Sequence, residues 1–401
     1  MSTARRIRLT IFLGVLAALA PLSTDMYLPA LPELKLQLDV DTSIIQMTLS
    51  MTMLGMGVGQ IFAGPISDRF GRKLPLVFGM LCFTAATIGC MRSIEIELFL
   101  AFRFLQGLSG AFGIVIARAI ARDVATGDEL TRIFSMLMLV NGLAPILSPI
   151  IGGLILLVMN WRGIFAMMLL VGSLIFASTL FFSETLPASM RTENISASFK
   201  NFGVLLKDKY FVGHCLLQCA ALGAFFSYLT GSSFLFQEIY HVSPQTYSWI
   251  FSGLGASLVV AGSLPMFLAG KVKNIKMLRW AVLQALIGSV AFLLCIFAAA
   301  PMELTILSLL IMIPTLSVLG ATSFSLSMRL HGKEAGAAAA LVGFSQMFFA
   351  GLVSPLVGIA GSDTAVPMAL IILICQALAA GIFFKMIFSF HERGAKIIHS
   401  S

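Results

Sequence analysis

An ionised side chain within hydrocarbon is costly, so an acid or base set inside a long apolar run usually serves a function. Of the 18 acidic residues here, Asp25 alone lies clearly inside such a run, and of the 26 basic residues only Arg103 is comparably deep. Counted from the outer ends of their expected helices at 1.5 Å per residue, both sit roughly 7 to 12 Å below the surface, so the two can meet. A nearby cation favours an ionised carboxylate, whereas low-dielectric surroundings disfavour it. Held between these influences, Asp25 would take a proton from one side of a membrane and release it on the other, with a polar or cationic solute competing for the carboxylate. Two plainer roles fit the same residues: Asp25 caps a helix break made by Pro21 and Pro29, or it forms a static ion pair with Arg103.

The elements that must position this pair are membrane helices. Hydrophobic residues make up 58% of the 401-residue chain and charged residues 11%, against about half and about a quarter in a soluble domain. A spanning helix needs about 20 apolar residues. Runs of that length predict twelve spans, over 7–29, 42–66, 74–91, 95–122, 130–159, 161–184, 209–239, 244–270, 276–299, 302–328, 334–361 and 364–389. The polar stretch 185–208 divides them into a six-helix bundle at 1–184 and another at 209–401, an all-α architecture in which a substrate can sit between two rocking halves. Arg5, Arg6 and Arg8 precede the first span, and the joints after even-numbered spans are basic, as in Arg69, Arg72 and Lys73 or Lys271, Lys273, Lys276 and Arg279. All basic residues except Arg103, Lys35, Arg92 and Arg162 fall on that side, which predicts that it is cytoplasmic, with both termini there. Asp68, Asp123, Glu184, Glu193, Glu334 and Glu392 fall on the same side. Pro21 and the continuing apolar run predict that the basic, signal-like start is retained.

Topology thus accounts for the net charge of +8, and the scatter of the basic residues over separate joints excludes a nucleic-acid surface. The six cysteines fall inside spans without a CxxC pair, which predicts reduced packing residues and no metal. Neither HExxH, GxSxG nor GxxxxGK[ST] occurs, so hydrolysis and ATP-driven transport lack their machinery. No enzyme activity and no cofactor are expected; a proton gradient would supply the energy.

The joint after the second span reads Gly64, Pro65, Ile66, Ser67, Asp68, Arg69, Phe70, Gly71, Arg72, Lys73. Gly64 and Gly71 allow a close turn, and Asp68 can pair with a basic group or a helix N-terminus to latch the halves in one state. This stretch resembles the signature loop of the major facilitator superfamily at every fixed position. That resemblance implies a pair between Arg72 and an acid ending the fourth span, for which Asp123 is available. Arg103, Gln106, Gly107 and Ala111 are similar to the family's proton-coupling motif in the fourth span. Ala144, Ser148, Pro149, Gly152 and Gly153 resemble its antiporter motif in the fifth, with Ala144 and Ser148 in place of two glycines. Small residues there let the fifth helix press against a neighbour from the other half and seal the pathway. The run Ser23 to Pro32, with Asp25, Tyr27 and Pro29, resembles the first-helix end of the Bcr/CflA branch, the bicyclomycin and chloramphenicol exporters.

A pocket for varied drugs should be apolar, adaptable and sparsely polar. Tyr27, Met53, Asn141, Phe225, Tyr228 and Gln346 are the candidates for substrate contact. The expectation is a monomeric, proton-coupled antiporter in the bacterial inner membrane that exports small xenobiotic molecules and confers antibiotic resistance. The rival keeps the fold and carries an endogenous metabolite, amino acid or siderophore.

Overall fold

A computed structural model describes residues 3–192, 202–328 and 335–390, with side chains undescribed at 3–8, 128, 131 and 335. Glu193, Glu334, Glu392 and part of the expected linker lie outside the described residues. Among the described residues, twelve helices are long and apolar enough to cross a membrane. They run Leu9–Leu38, Thr42–Phe70, Lys73–Arg92, Ile96–Val124, Arg132–Ile155, Trp161–Leu180, Lys209–Ile239, Pro244–Phe267, Asn274–Phe297, Met302–Ser327, Gly336–Gly358 and Val366–Phe388. Large apolar side chains such as Phe78, Trp280 and Leu294 stand exposed on their outer faces, as lipid contact requires.

The first span departs from expectation. It does not stop at 29 but breaks at 25–27, continues as a single 3-10 turn at Leu28–Ala30 and runs on as a helix over Leu31–Leu38. Pro29 and Pro32 favour this: each lacks an N–H and so weakens a continuing helix, yet each is well suited to the first turn of a new one. Pro314 breaks the tenth span in the same way, between Met302–Met312 and Thr315–Ser327.

Spans of the first half pack mainly on one another, as do those of the second, and the halves meet where the second span lies against the eleventh and the fifth against the eighth. One apolar core runs across both halves on the face opposite the basic joints, joining Met26, Tyr27, Leu28 and Leu31 to Phe234, Phe236, Tyr247 and Phe251. On the basic side the buried clusters stay within single halves: Leu13, Leu76, Ile120 and Leu137 in one, Leu217, Leu278, Leu326 and Phe383 in the other. The molecule is therefore sealed at one face and parted at the other.

Candidate functional site

Between the halves lie two adjoining spaces. The inner chamber, about 220 Å³, is lined by Pro21, Thr24 and Asp25 of the first span, Met53 of the second, Phe225 and Tyr228 of the seventh, Phe251 and Leu254 of the eighth, and Met347 of the eleventh. Ala20, Met56 and Met347 border both this chamber and a vestibule of about 790 Å³ toward the basic face, to which Asn141, Gln218 and Gln346 contribute. Asp25 is 6% exposed and is the one carboxylate among the described residues lining the chamber. Its Oδ1 accepts a hydrogen bond of 2.8 Å from Thr24 Oγ1, which also donates to the carbonyl of Ala20.

Arg103 is fully buried, and the structure does not pair it with Asp25. Its Nη2 donates to the carbonyl of Ser23 at 3.0 Å, its Nε to the carbonyl of Thr48 at 3.4 Å, and its Nη1 to Gln106 Oε1 at 2.6 Å. Its guanidinium carbon lies 4.8 Å from the centre of the Tyr27 ring and 5.7 Å from that of Phe165. The geometry of the helix explains the separation. Residues 23 and 25 lie about 200° apart at 3.6 residues per turn, so a side chain reaching Ser23 and Tyr27 meets the face turned away from Asp25. Gln106 Nε2 passes the link on to Thr87 Oγ1 at 2.8 Å, so this network ties the first four spans together.

Tyr27 also moves out of the expected pocket. Its ring is packed among Phe99, Phe165 and Arg103, and its hydroxyl shares a 2.9 Å hydrogen bond with Thr48. Met53, Phe225 and Tyr228 line the chamber, whereas Asn141 and Gln346 line the vestibule. Gly107 backs onto the carbonyl of Thr52, and Ala111 packs against Gly59, so the second and fourth spans touch along their backbones.

In the joint after the second span, Arg72 Nε donates to Asp123 Oδ2 at 2.8 Å, and its Nη1 donates to Ser67 Oγ at 2.9 Å and to Asp68. Burial works against its charge, but the hydrogen bonds to Asp123 and Asp68 more than compensate and hold the group protonated. Gly71 adopts φ of +87°, and a Cβ there would collide with Glu184 Oε2, so only glycine fits. Gly64 borders a separate space of about 390 Å³ beside Arg72. Arg69 lies over the Phe70 ring, and Lys73 Nζ donates to the carbonyl of Leu180 at 2.9 Å.

The sealed face is held by bonds between halves. Ser233 Oγ donates to the carbonyl of Leu28 at 2.8 Å and Gln237 Nε2 to that of Pro29 at 3.2 Å. Lys35 Nζ donates to Ser362 Oγ at 2.8 Å and lies 3.5 Å from Glu238 Oε2. The fifth span, with Pro145 and Pro149 inside it, presses on its neighbours: Gly152 abuts the carbonyl of Met26, and Gly153 abuts Ser248. Ser148 Oγ donates to the carbonyl of Ala144 within the helix, and Ser252 Oγ of the eighth span to that of Ile146 at 2.6 Å.

Comparison with known proteins places this architecture. The sequence profile of the Major Facilitator Superfamily matches residues 13–355. The chain belongs to the major facilitator superfamily. It is 37% identical over 389 residues to the uncharacterized MFS-type transporter YdgK of Bacillus subtilis (strain 168), covering 95% of this chain and 96% of that protein. It is 30% identical to the bicyclomycin resistance protein homolog of Haemophilus influenzae, covering 89% and 90%. Among solved structures, a D-xylose-proton symporter superposes with a TM-score of 0.77 at 16% identity, covering 96% of this chain and 98% of the other. At that identity the likeness speaks for the fold alone. The protein is thus a multi-pass membrane transporter and not an enzyme.

Two residues of this facilitator escaped the sequence reading. Glu184, taken only as an acid of the basic face, accepts backbone N–H groups of Arg72 at 2.8 Å, Lys73 at 3.1 Å, Thr185 at 3.0 Å and Leu186 at 2.9 Å. Burial pushes its proton affinity up, but these four donors outweigh that and hold the carboxyl below its ordinary range. It thereby closes the N-terminus of the third span. Arg118, counted among the basic residues of the inner side, lies inside the fourth span and is exposed to the vestibule with Arg122. Its signal was present in the spacing, since 114, 118 and 122 repeat at one helical turn.

Proposed function

We propose that this facilitator exports small, largely apolar, drug-like molecules across the bacterial inner membrane in exchange for protons, working as a single chain with its basic face and both termini in the cytoplasm. One observation carries the reading: a nearly buried carboxylate, Asp25, the one acid among the described residues lining its chamber, faces an apolar space that adjoins the larger vestibule on the side of the basic face. The distribution of basic residues supports a cytoplasmic assignment for that face, and the resemblance to a bicyclomycin resistance protein homolog supports drugs as cargo.

In this scheme the cytoplasm-open state lets Asp25 lose its proton through the vestibule while a solute enters past Asn141 and Gln346. The solute settles against Met53, Phe225 and Tyr228, whose apolar surfaces suit varied shapes. The halves then rock, the seal at Leu28 and Pro29 opens, and a proton from outside neutralises Asp25. That removes the charge that held a polar or cationic group, so the solute leaves and the protonated carrier returns. Arg103 stays with Ser23 and Gln106 throughout and keeps the broken first helix in place.

Extrusion of a fluorescent drug from inverted vesicles, with and without an imposed pH gradient, tests the reading. Asp25→Asn is expected to abolish gradient-driven movement while leaving the protein folded in the membrane. Gradient-driven transport at the wild-type rate in Asp25→Asn would refute the assignment of Asp25, and drug movement indifferent to the gradient in the wild type would refute antiport. Unaltered drug susceptibility of a deletion strain together with a changed set of secreted compounds would favour an endogenous metabolite as cargo.

A further inference from the structure

The vestibule carries a feature that drug export through Asp25 leaves unused. Arg118 and Arg122 of the fourth span both line it and are both exposed to it. Four residues apart, they lie one turn from each other on a single face, where like charges repel. Among the described residues lining the vestibule there is no carboxylate. Asp123, the nearest acid in sequence, is engaged by Arg72 and by Thr185 Oγ1 at 3.1 Å. A preference for positive charge at the cytoplasmic edge accounts for Arg122 but not for Arg118, which is one turn deeper and turned to the cavity rather than to the joint. Arg122 reaches the other half as well, its Nη1 standing 4.0 Å from the position of a Cβ on Gly336. On the facing wall Gln346 Nε2 donates to Gln218 Oε1 at 3.0 Å, and Gln218 Nε2 is a buried donor without a hydrogen-bond partner among the described residues.

We propose that Arg118 and Arg122 form an anion subsite in the vestibule, and that this facilitator takes amphipathic organic anions, apolar bodies bearing one carboxylate, sulfonate or phosphate group. The proposal deepens the transport reading above and rests on it for the route the ligand follows. Two guanidinium groups one turn apart offer forked donors to the oxygens of one anionic group, the geometry for which arginine is suited. The bound anion relieves their mutual repulsion. The apolar body then points toward the chamber. Arg118 lies about 22 Å along the fourth helix from Arg103, which marks the level of Ser23 beside Asp25. At that separation the repulsion between anion and carboxylate is weak compared with the pull of two adjacent guanidinium groups.

The test uses the purified full-length chain in neutral detergent micelles at neutral pH, with two fluorescent probes of equal size: dansyl-leucine, which carries a carboxylate, and dansyl-leucinamide, which does not. The wild type is expected to bind the acid about tenfold more tightly than the amide. Arg118→Gln and the double variant Arg118→Gln/Arg122→Gln are expected to remove that preference while keeping affinity for the amide, which also reports that the variants are folded. Arg118→Lys, which retains the charge, should keep part of it, and the wild-type preference should weaken between about 20 and about 300 mM salt. Equal binding of acid and amide by the wild type, a preference that survives in the double variant, or one insensitive to salt overturns the proposal. Added phosphatidylglycerol distinguishes a transported solute from a lipid headgroup. No displacement of the acid supports the solute, and displacement of the acid but not the amide overturns that assignment in favour of lipid. No pH gradient is involved, so loss of the acid preference and loss of proton-coupled drug transport are separable failures.

Discussion

The separation of Asp25 from Arg103 makes a quantitative prediction for a double-mutant cycle. A buried ion pair would lose about 3 to 5 kcal/mol when either partner is removed, because the other charge is left uncompensated, and much of that loss would return in the double variant. The geometry here gives a different pattern. Arg103→Gln forfeits the bonds to the Ser23 and Thr48 carbonyls and to Gln106 Oε1. At about 1.5 kcal/mol each, the low end for a charged donor, the loss is about 4.5 kcal/mol. Asp25→Asn instead removes a buried charge that no described cation faces and leaves a side chain of the same shape. Its stability should be unchanged or slightly raised. The double variant should therefore lie within about 0.5 kcal/mol of the sum of the single changes. Reversible unfolding of the four proteins in mixed micelles of increasing sodium dodecyl sulfate measures this directly. A coupling energy above about 2 kcal/mol, with Asp25→Asn alone strongly destabilising, would show that the two charges do hold each other and would refute the reasoning.

The sealed face and the basic face each yield a further test. Ser233→Ala removes the donor to the Leu28 carbonyl, and at about 1 kcal/mol this should shift the ratio of open to sealed molecules about fivefold. Spin labels at Leu36 and Ile359, both strongly exposed, would report it as growth of a longer-distance population, and an unaltered distance distribution would count against the seal. Glu184 has a folded-state proton affinity held below the ordinary carboxyl value of 4.5. Its contribution is therefore present above that value and lost as pH falls through the depressed one. Stability of the wild type should fall on acidification through this range, whereas Glu184→Gln should be less stable at neutral pH and show a flatter acid limb; identical limbs would exclude the capping role.

Much of the fold was legible because hydrocarbon imposes length. A helix that must satisfy its own backbone across a bilayer announces itself over about 20 apolar residues, and the expected spans fall close to the observed ones. The joint at 64–73 was legible for a related reason: Gly71 at positive φ and the Arg72 to Asp123 bond need fixed residue types at fixed spacing. What failed was rotation and distance. Depth placed Asp25 and Arg103 at one level, but a two-residue difference in the first helix turns Asp25 to the chamber and Ser23 to the arginine. The first span was expected to end at 29, although proline also begins helices, and the chain uses Pro29 and Pro32 on the way into Leu31–Leu38. Glu184 carries no local pattern, since the N–H groups it closes lie far away in sequence at Arg72 and Lys73. Arg118 was obscured because counting charges by side of the membrane ignores which way a helical residue faces.

The broken first helix also explains why the arginine and the carboxylate are better apart. Paired with a fixed guanidinium, Asp25 would be held ionised, and a group that never changes its charge cannot exchange a proton for a solute. Left facing the chamber with only Thr24 as a side-chain partner among the described residues, it responds to whatever fills that space. Breaking a helix exposes carbonyls that must find other donors, and here the two sides of the break are served differently. Arg103 takes Ser23 from within the same half. Leu28 and Pro29, just past Asp25, are taken by Ser233 and Gln237 from the opposite half. In the proposed cycle the protonation site thus sits three residues from the bonds that must part when the sealed face opens. A change of charge at Asp25 reaches that seal through one short turn of backbone, with no need for a longer relay.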